Sequence, residues 1–143
     1  MVKTTFSHIG LNCKDPVKIE KFYKKYFDFE RARVFNPGPD QVVMIKKNDV
    51  YMELFPAEKK RPIDEPQDDG YTFPGVRHLA FLVDDLDEFL DKLPDEIEIS
   101  QGPMDMSEFV DGMRVCWFKD PEGNIIELNQ GYKDEDSPPK MKG

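Results

Sequence analysis

Histidine, cysteine and tryptophan are scarce in this chain, with two, two and one of them among 143 residues. Two cysteines, Cys13 and Cys116, are too few for a disulfide framework. One bridge between them and a pair of free buried thiols are the readings left, and free thiols are expected. Long apolar runs are also lacking: no stretch approaches the roughly 20 residues that span a bilayer. Residues Met1–Phe6 hold neither an apolar segment nor a cleavage-like site. Positive charge is in deficit, 20 Lys and Arg against 29 Asp and Glu, for a formal net charge of −9. That balance argues against a nucleic-acid backbone or an anionic membrane as the main partner. The expectation is a cytoplasmic protein that meets a small molecule, which can be anionic if a metal dominates its local field.

What is present is patterned around the two histidines. Each opens a short apolar run, and each is followed by a second run carrying one glutamate: Glu53 stands 45 positions after His8, and Glu127 stands 49 after His78. Two nitrogen and two oxygen donors offered in duplicate point to a divalent-metal site at His8, Glu53, His78 and Glu127. With 38% hydrophobic and 12% aromatic residues the chain can bury a real core. A lone strand histidine is usually packed or surface polar, and the duplication is what favours ligation here.

The segments between these residues repeat as well. Residues 5–13 alternate, with Phe6, His8, Gly10 and Asn12 on one face and Ser7, Ile9, Leu11 and Cys13 on the other. Asp15 followed by Pro16 reads as an N-cap and first helical residue. The helix they open sets Val17, Ile19, Phe22, Tyr23, Tyr26 and Phe27 against a lysine face. About three strands complete this half, with a loop at 36–39, a strand from Gln41 to Ile45, a turn at Asn48 and Asp49, and the strand of Glu53. The pattern restarts after a Pro- and acid-rich stretch: a strand over 76–83, a helix capped by Asp85 and ended by Pro94, and strands near 96–100 and 113–119. A turn at Asp120–Gly123 then enters the Glu127 strand. The expected organisation is one domain over 1–131, with module one about 5–56, linker about 57–75, module two about 76–131, and a flexible tail over 132–143.

The quartet His8, Glu53, His78 and Glu127, the run Arg77–Leu86, and the run Phe118–Leu128 with its Asp-Pro-Glu-Gly turn together resemble the vicinal oxygen chelate superfamily. That group includes glyoxalase I, bleomycin- and fosfomycin-resistance proteins and extradiol dioxygenases. The resemblance spans roughly residues 5–130. It implies an α+β fold of two paired βαβββ modules whose curved mixed sheets enclose a metal cleft, in a homodimer whose sites draw both modules from one chain or one from each of two. A His-Glu-His-Glu set is similar to that of glyoxalase I. However, Asn12 and Ala57 stand where glyoxalase I has an arginine and an asparagine that help hold glutathione, so another substrate is expected.

Two neutral imidazoles and two carboxylates balance a dipositive ion, and an octahedral metal would keep two adjacent positions for vicinal substrate oxygens. Nickel, cobalt, manganese, iron and zinc all suit mixed N/O donors. The chemistry expected is a lyase or isomerase reaction in which an α-proton is shuttled through an enediolate-like intermediate. By the resemblance, Glu127 is the base and Glu53 its complement. The alternatives are a non-catalytic binding or resistance protein and an extradiol-type dioxygenase. Phe6, Tyr51, Phe55, Met104, Met106, Phe109 and Trp117 are candidates for pocket lining, with core or lid packing as the competing reading. Arg33, Arg77 and Arg114 are candidates for anion binding, set against ordinary ion-pair roles.

Overall fold

The computed structural model describes residues 1–143. The chain divides into two compact units: Met1–Glu65 with Asp120–Gly123, and Pro66–Lys119 with Asn124–Gly143. The first holds β1 (Ile9–Cys13), α1 (Pro16–Phe27), β2 (Glu30–Phe35), β3 (Val42–Lys47) and β4 (Val50–Pro56). Its strands form an open sheet in the order β1-β4-β3-β2, with β1 parallel to β4 and the other pairs antiparallel. The second holds β5 (Leu79–Leu82), α2 (Leu86–Asp91), β6 (Ile99–Asp105), β7 (Arg114–Lys119) and β8 (Ile125–Gln130), in the order β5-β8-β7-β6. The same βαβββ path is thus drawn twice.

In the first unit the Asp15 carboxylate accepts from the Lys18 amide at 3.1 Å, and Pro16 starts α1 at no cost because that turn's amide has no helical partner. Ile19, Phe22, Tyr23 and Phe27 form the buried stripe of the helix, which packs against β4 and β1. Under it lie Val43, Ile45, Met52 and Leu54, all buried. Each such side chain contributes about 1.5–3 kcal/mol on leaving water, so packing rather than helix propensity holds a helix of this length. In the second unit α2 is short and buries Leu86 alone. It rests on β7 and β8, whose residues Cys116, Phe118, Ile126 and Leu128, on one sheet face, are buried.

Both first strands begin later than their alternation predicts, at Ile9 rather than at residue 5 and at Leu79 rather than at residue 76, so His8 and His78 stand just ahead of β1 and β5. The ladders start at Ile9 opposite Met52 and at Leu79 opposite Ile126, leaving each histidine at a sheet margin. Val17, expected on the buried stripe, is 47% exposed because the helix turns it toward the lysine side. The strand expected near 96–100 runs instead over Ile99–Asp105, across Gly102 and Pro103. That pair reads as a turn in sequence, but β6 is an edge strand, where proline loses no ladder bond and the register shift around it is tolerated.

The Asp120–Gly123 turn forms as expected, with the Gly123 amide donating to the Asp120 carbonyl at 2.9 Å. Gly123 has φ 84°, and a Cβ there would stand 2.3 Å from Glu65 Oε1. The turn follows β7 in the chain but packs within the first unit. There Asp120, 4% exposed, accepts from the Tyr23 hydroxyl at 2.9 Å, and Glu122 accepts from the Asp15 amide at 2.9 Å. Burial, reinforced by the Asp120 charge, pushes the Tyr23 phenol well above its ordinary value. Burial together with Glu122, Asp120 and Asp15 pushes the Cys13 thiol up to about 12. Burial raises Cys116 to about 11. Both cysteines are free and buried, and burial favours the thiol over the thiolate.

Candidate metal centre

Each unit brings its histidine and glutamate together in the same way. Glu53 on β4 lies opposite Gly10, and Glu127 on β8 lies opposite Ala80. In both parallel pairs the histidine is therefore two residues before the glutamate's direct partner and on the same sheet face. The directly opposed residue is small in both cases, which leaves the space above the glutamate open to the imidazole; a Cβ on Gly10 would meet nothing nearer than Phe55 at 3.7 Å.

His8 Nε2 stands 3.5 Å from Glu53 Oε1, and His78 Nε2 stands 3.5 Å from Glu127 Oε1. That separation is too long for a hydrogen bond. It matches two donors sharing one ion: with ligand distances of about 2.1 Å, neighbouring donors lie about 3.0 Å apart in octahedral and about 3.4 Å apart in tetrahedral geometry. Within neither unit do three His, Cys, Asp or Glu side chains converge. Each unit therefore brings together one pair of side chains of the metal-ligating kind.

The surroundings of the two pairs differ. His8 Nδ1 faces the hydroxyl of Ser7 at 2.8 Å in an exposed position. His78 Nδ1 faces the Asp69 carbonyl at 2.8 Å, and its ring lies 6.4 Å from that of Trp117. The Asn129 amide nitrogen donates to Glu127 Oε2 at 3.0 Å, which fixes the carboxylate plane and leaves Oε1 toward His78. Ser7, Asp69 and Asn129 had no assigned role in the sequence. Asn129 shares the Glu127 face by parity, whereas the stretch holding Asp69 has no periodicity to mark it.

On the face carrying Glu53, an open cavity of about 1030 Å³ is lined by Phe6, Arg33, Phe35, Met44 and Tyr51. A second of about 980 Å³ is lined by Asn12, Phe55, Ala57 and the cations Lys14, Lys59, Lys60 and Arg61. Phe6 and Tyr51 thus border the first cavity and Phe55 the second. Phe6 is 80% exposed. In the second unit Trp117 is buried with Val115 and Ile125, and Met104 and Met106 pack against them, so these three candidates belong to the core. Phe109 is exposed and lines neither of these cavities. Arg77 is paired with Asp69 and Arg114 with Asp87, which leaves Arg33 as the arginine of the three that borders a cavity.

The sequence matches a family model described as the Glyoxalase/Bleomycin resistance protein/Dioxygenase superfamily over residues 5–128. No curated protein matches it. Among solved structures, a glyoxalase/dioxygenase from Nostoc punctiforme is 21% identical with a TM-score of 0.67, the match covering 93% of this chain and 100% of that one. The fosfomycin resistance protein FosX from Listeria monocytogenes, complexed with Mn(II) and sulfate, is 18% identical with a TM-score of 0.65, covering 92% and 95%. TnmS3, an antibiotic binding protein from a Streptomyces species, is 21% identical with a TM-score of 0.64, covering 92% and 99%. No helix of this chain is long and apolar enough to cross a membrane.

Proposed function

Because the chain belongs to the Glyoxalase/Bleomycin resistance protein/Dioxygenase superfamily, we propose that it is a metal-dependent lyase or isomerase. In this reading His8, Glu53, His78 and Glu127 hold one divalent ion, and the substrate is a small molecule with two vicinal oxygens. The observation that carries the reading is the duplicated 3.5 Å approach of a histidine Nε2 to a glutamate Oε1, in a chain that has no other histidine. A divalent ion held there supplies Lewis acidity toward the substrate oxygens and so acidifies the neighbouring C–H. The protein's own part is to take and return that proton. Glu127 is the group that receives it, its carboxylate plane held through Oε2 by Asn129. Glu53 serves the opposite face of the substrate. His8 and His78 stay neutral donors through Nε2, and the first cavity, with Phe6, Phe35 and Tyr51, shields the apolar part of the substrate from water. Since each unit carries half of the donor set, a homodimer that joins the first unit of one copy to the second unit of another would complete it.

Metal analysis and calorimetric titration test this directly. One divalent ion per chain is expected, with Mn(II) among those bound, and simultaneous alanine replacement of the quartet should abolish binding. Absence of stoichiometric metal in the parent protein would refute the reading. The aromatic lining of the exposed cavity, together with the likeness to an antibiotic binding protein, favours a second reading as a metal-independent sequestering protein. Under that reading, affinity for an apolar ligand survives loss of all four donors.

A further inference from the structure

We propose that the turn Gln67–Gly70 is a positioning device for His78, holding its ring in the Nδ1–H tautomer so that Nε2 presents its lone pair beside Glu127. The part of this concerned with ligation rests on the metal reading above; the tautomer itself does not.

A backbone carbonyl can only accept, so the 2.8 Å contact between the Asp69 oxygen and His78 Nδ1 requires a proton on Nδ1. In the neutral ring Nε2 is then the free donor atom, 3.5 Å from Glu127 Oε1. The Ser7 hydroxyl beside His8 both donates and accepts, so it imposes neither tautomer. The Asp69 carbonyl is itself fixed in place. The Gly70 amide donates to the Gln67 carbonyl at 2.7 Å, and the Ser100 hydroxyl donates to the Asp68 carbonyl at 2.6 Å. Arg77 donates through Nε and Nη2 to Asp69 Oδ2 at 3.1 and 2.7 Å. Asp69 therefore grips two successive residues, Arg77 by its carboxylate and His78 by its carbonyl.

The backbone of the turn is specialised for this approach. Asp68 and Gly70 have φ of 51° and 89°, and a Cβ on Gly70 would stand 1.9 Å from the Arg77 carbonyl oxygen. Glycine alone permits the turn to close on the residue before His78. The consequence is an asymmetry between the pairs: His78 and Glu127, each held by a neighbour, form the prepared half of the donor set, and His8 and Glu53 form the adjustable half.

With only two histidines, ¹⁵N-histidine labelling gives two ring spin systems, assigned with His8→Ala. The measurement is made on metal-free protein near pH 8.5, about two units above the ordinary imidazole value. His78 is expected as the Nδ1–H tautomer and His8 as a mixture. Gly70→Ala should remove the His78 preference and weaken Mn(II) binding about 10–100-fold, the range for loss of a partner that orients a metal ligand. Should Gly70→Ala not fold, Asp69→Ala keeps the glycine and removes only the hold on Arg77, and a shift of His78 toward the Nε2–H form is expected there. An Nε2–H tautomer in the parent protein, or an unchanged tautomer in both folded variants, would overturn the proposal. A parent protein that binds no Mn(II) but shows the fixed tautomer overturns the metal reading and supports the positioning role.

Discussion

Replacing Asp120 by alanine tests the contact that ties the Asp120–Gly123 turn to the first unit. Asp120 is buried, and its carboxylate accepts from the Tyr23 hydroxyl at 2.9 Å and from the Glu122 amide at 2.9 Å. Its removal orphans a buried phenol, which costs about 1–3 kcal/mol, and deletes charge-assisted bonds worth about 1.5–3 kcal/mol. A loss of about 3–5 kcal/mol is therefore expected, a large share of the 5–15 kcal/mol typical of a domain. Tyr23→Phe removes only the hydroxyl and should cost about 1.5–3 kcal/mol. In the double variant the orphaned donor is gone, so the two losses should fall short of additivity by about 1–3 kcal/mol. Urea unfolding followed by far-UV circular dichroism measures all four corners of this cycle. Additivity within about 0.5 kcal/mol would refute the coupling and leave the turn to be explained by Gly123 and Glu122 alone.

Three further outcomes follow from the same geometry. Mixing a His8→Ala/Glu53→Ala variant with a His78→Ala/Glu127→Ala variant should regenerate one Mn(II) site per mixed dimer, about a quarter of the parent's binding after random subunit exchange, if the donor set is completed across two copies; no recovery after subunit exchange would place all four donors in one chain. Glu127→Gln should lower turnover of any accepted substrate about 10²–10⁴-fold while leaving the fold intact, and a smaller loss would shift the role of base to Glu53. At alkaline pH the folded Cys13 thiol stays protonated up to about 12, whereas the unfolded chain releases that proton near 9.0. Deprotonation therefore favours the unfolded chain, so stability falls as pH rises from about 9 toward 12. Cys13→Ala should flatten this part of the stability profile, and an unchanged slope by chemical denaturation would contradict the burial argument.

Much of this molecule is legible along the chain because the signals are local. Asp15 with Pro16, and Asp85, announce the starts of α1 and α2 through capping groups within three residues of the amides they satisfy. Strict alternation puts Glu53 and Glu127 on faces opposite the buried Met52, Leu54, Ile126 and Leu128. The strand across Gly102 and Pro103 was not legible, because whether proline is tolerated depends on being at a sheet edge, and edge position belongs to the sheet rather than to the segment.

By itself, then, the sequence determined the repeated βαβββ path, the identity of the four candidate donors and the turn that precedes the last strand, all through spacing and parity. Only the tertiary structure decided that each histidine stands at a sheet margin, diagonal to its glutamate across a small residue. It also decided that the backbone carbonyl of Asp69, in the apparent linker, meets His78 Nδ1, and that Asp120 accepts from Tyr23, 97 positions away. Those contacts join residues whose meeting is set by chain closure and strand register, and no local periodicity encodes either.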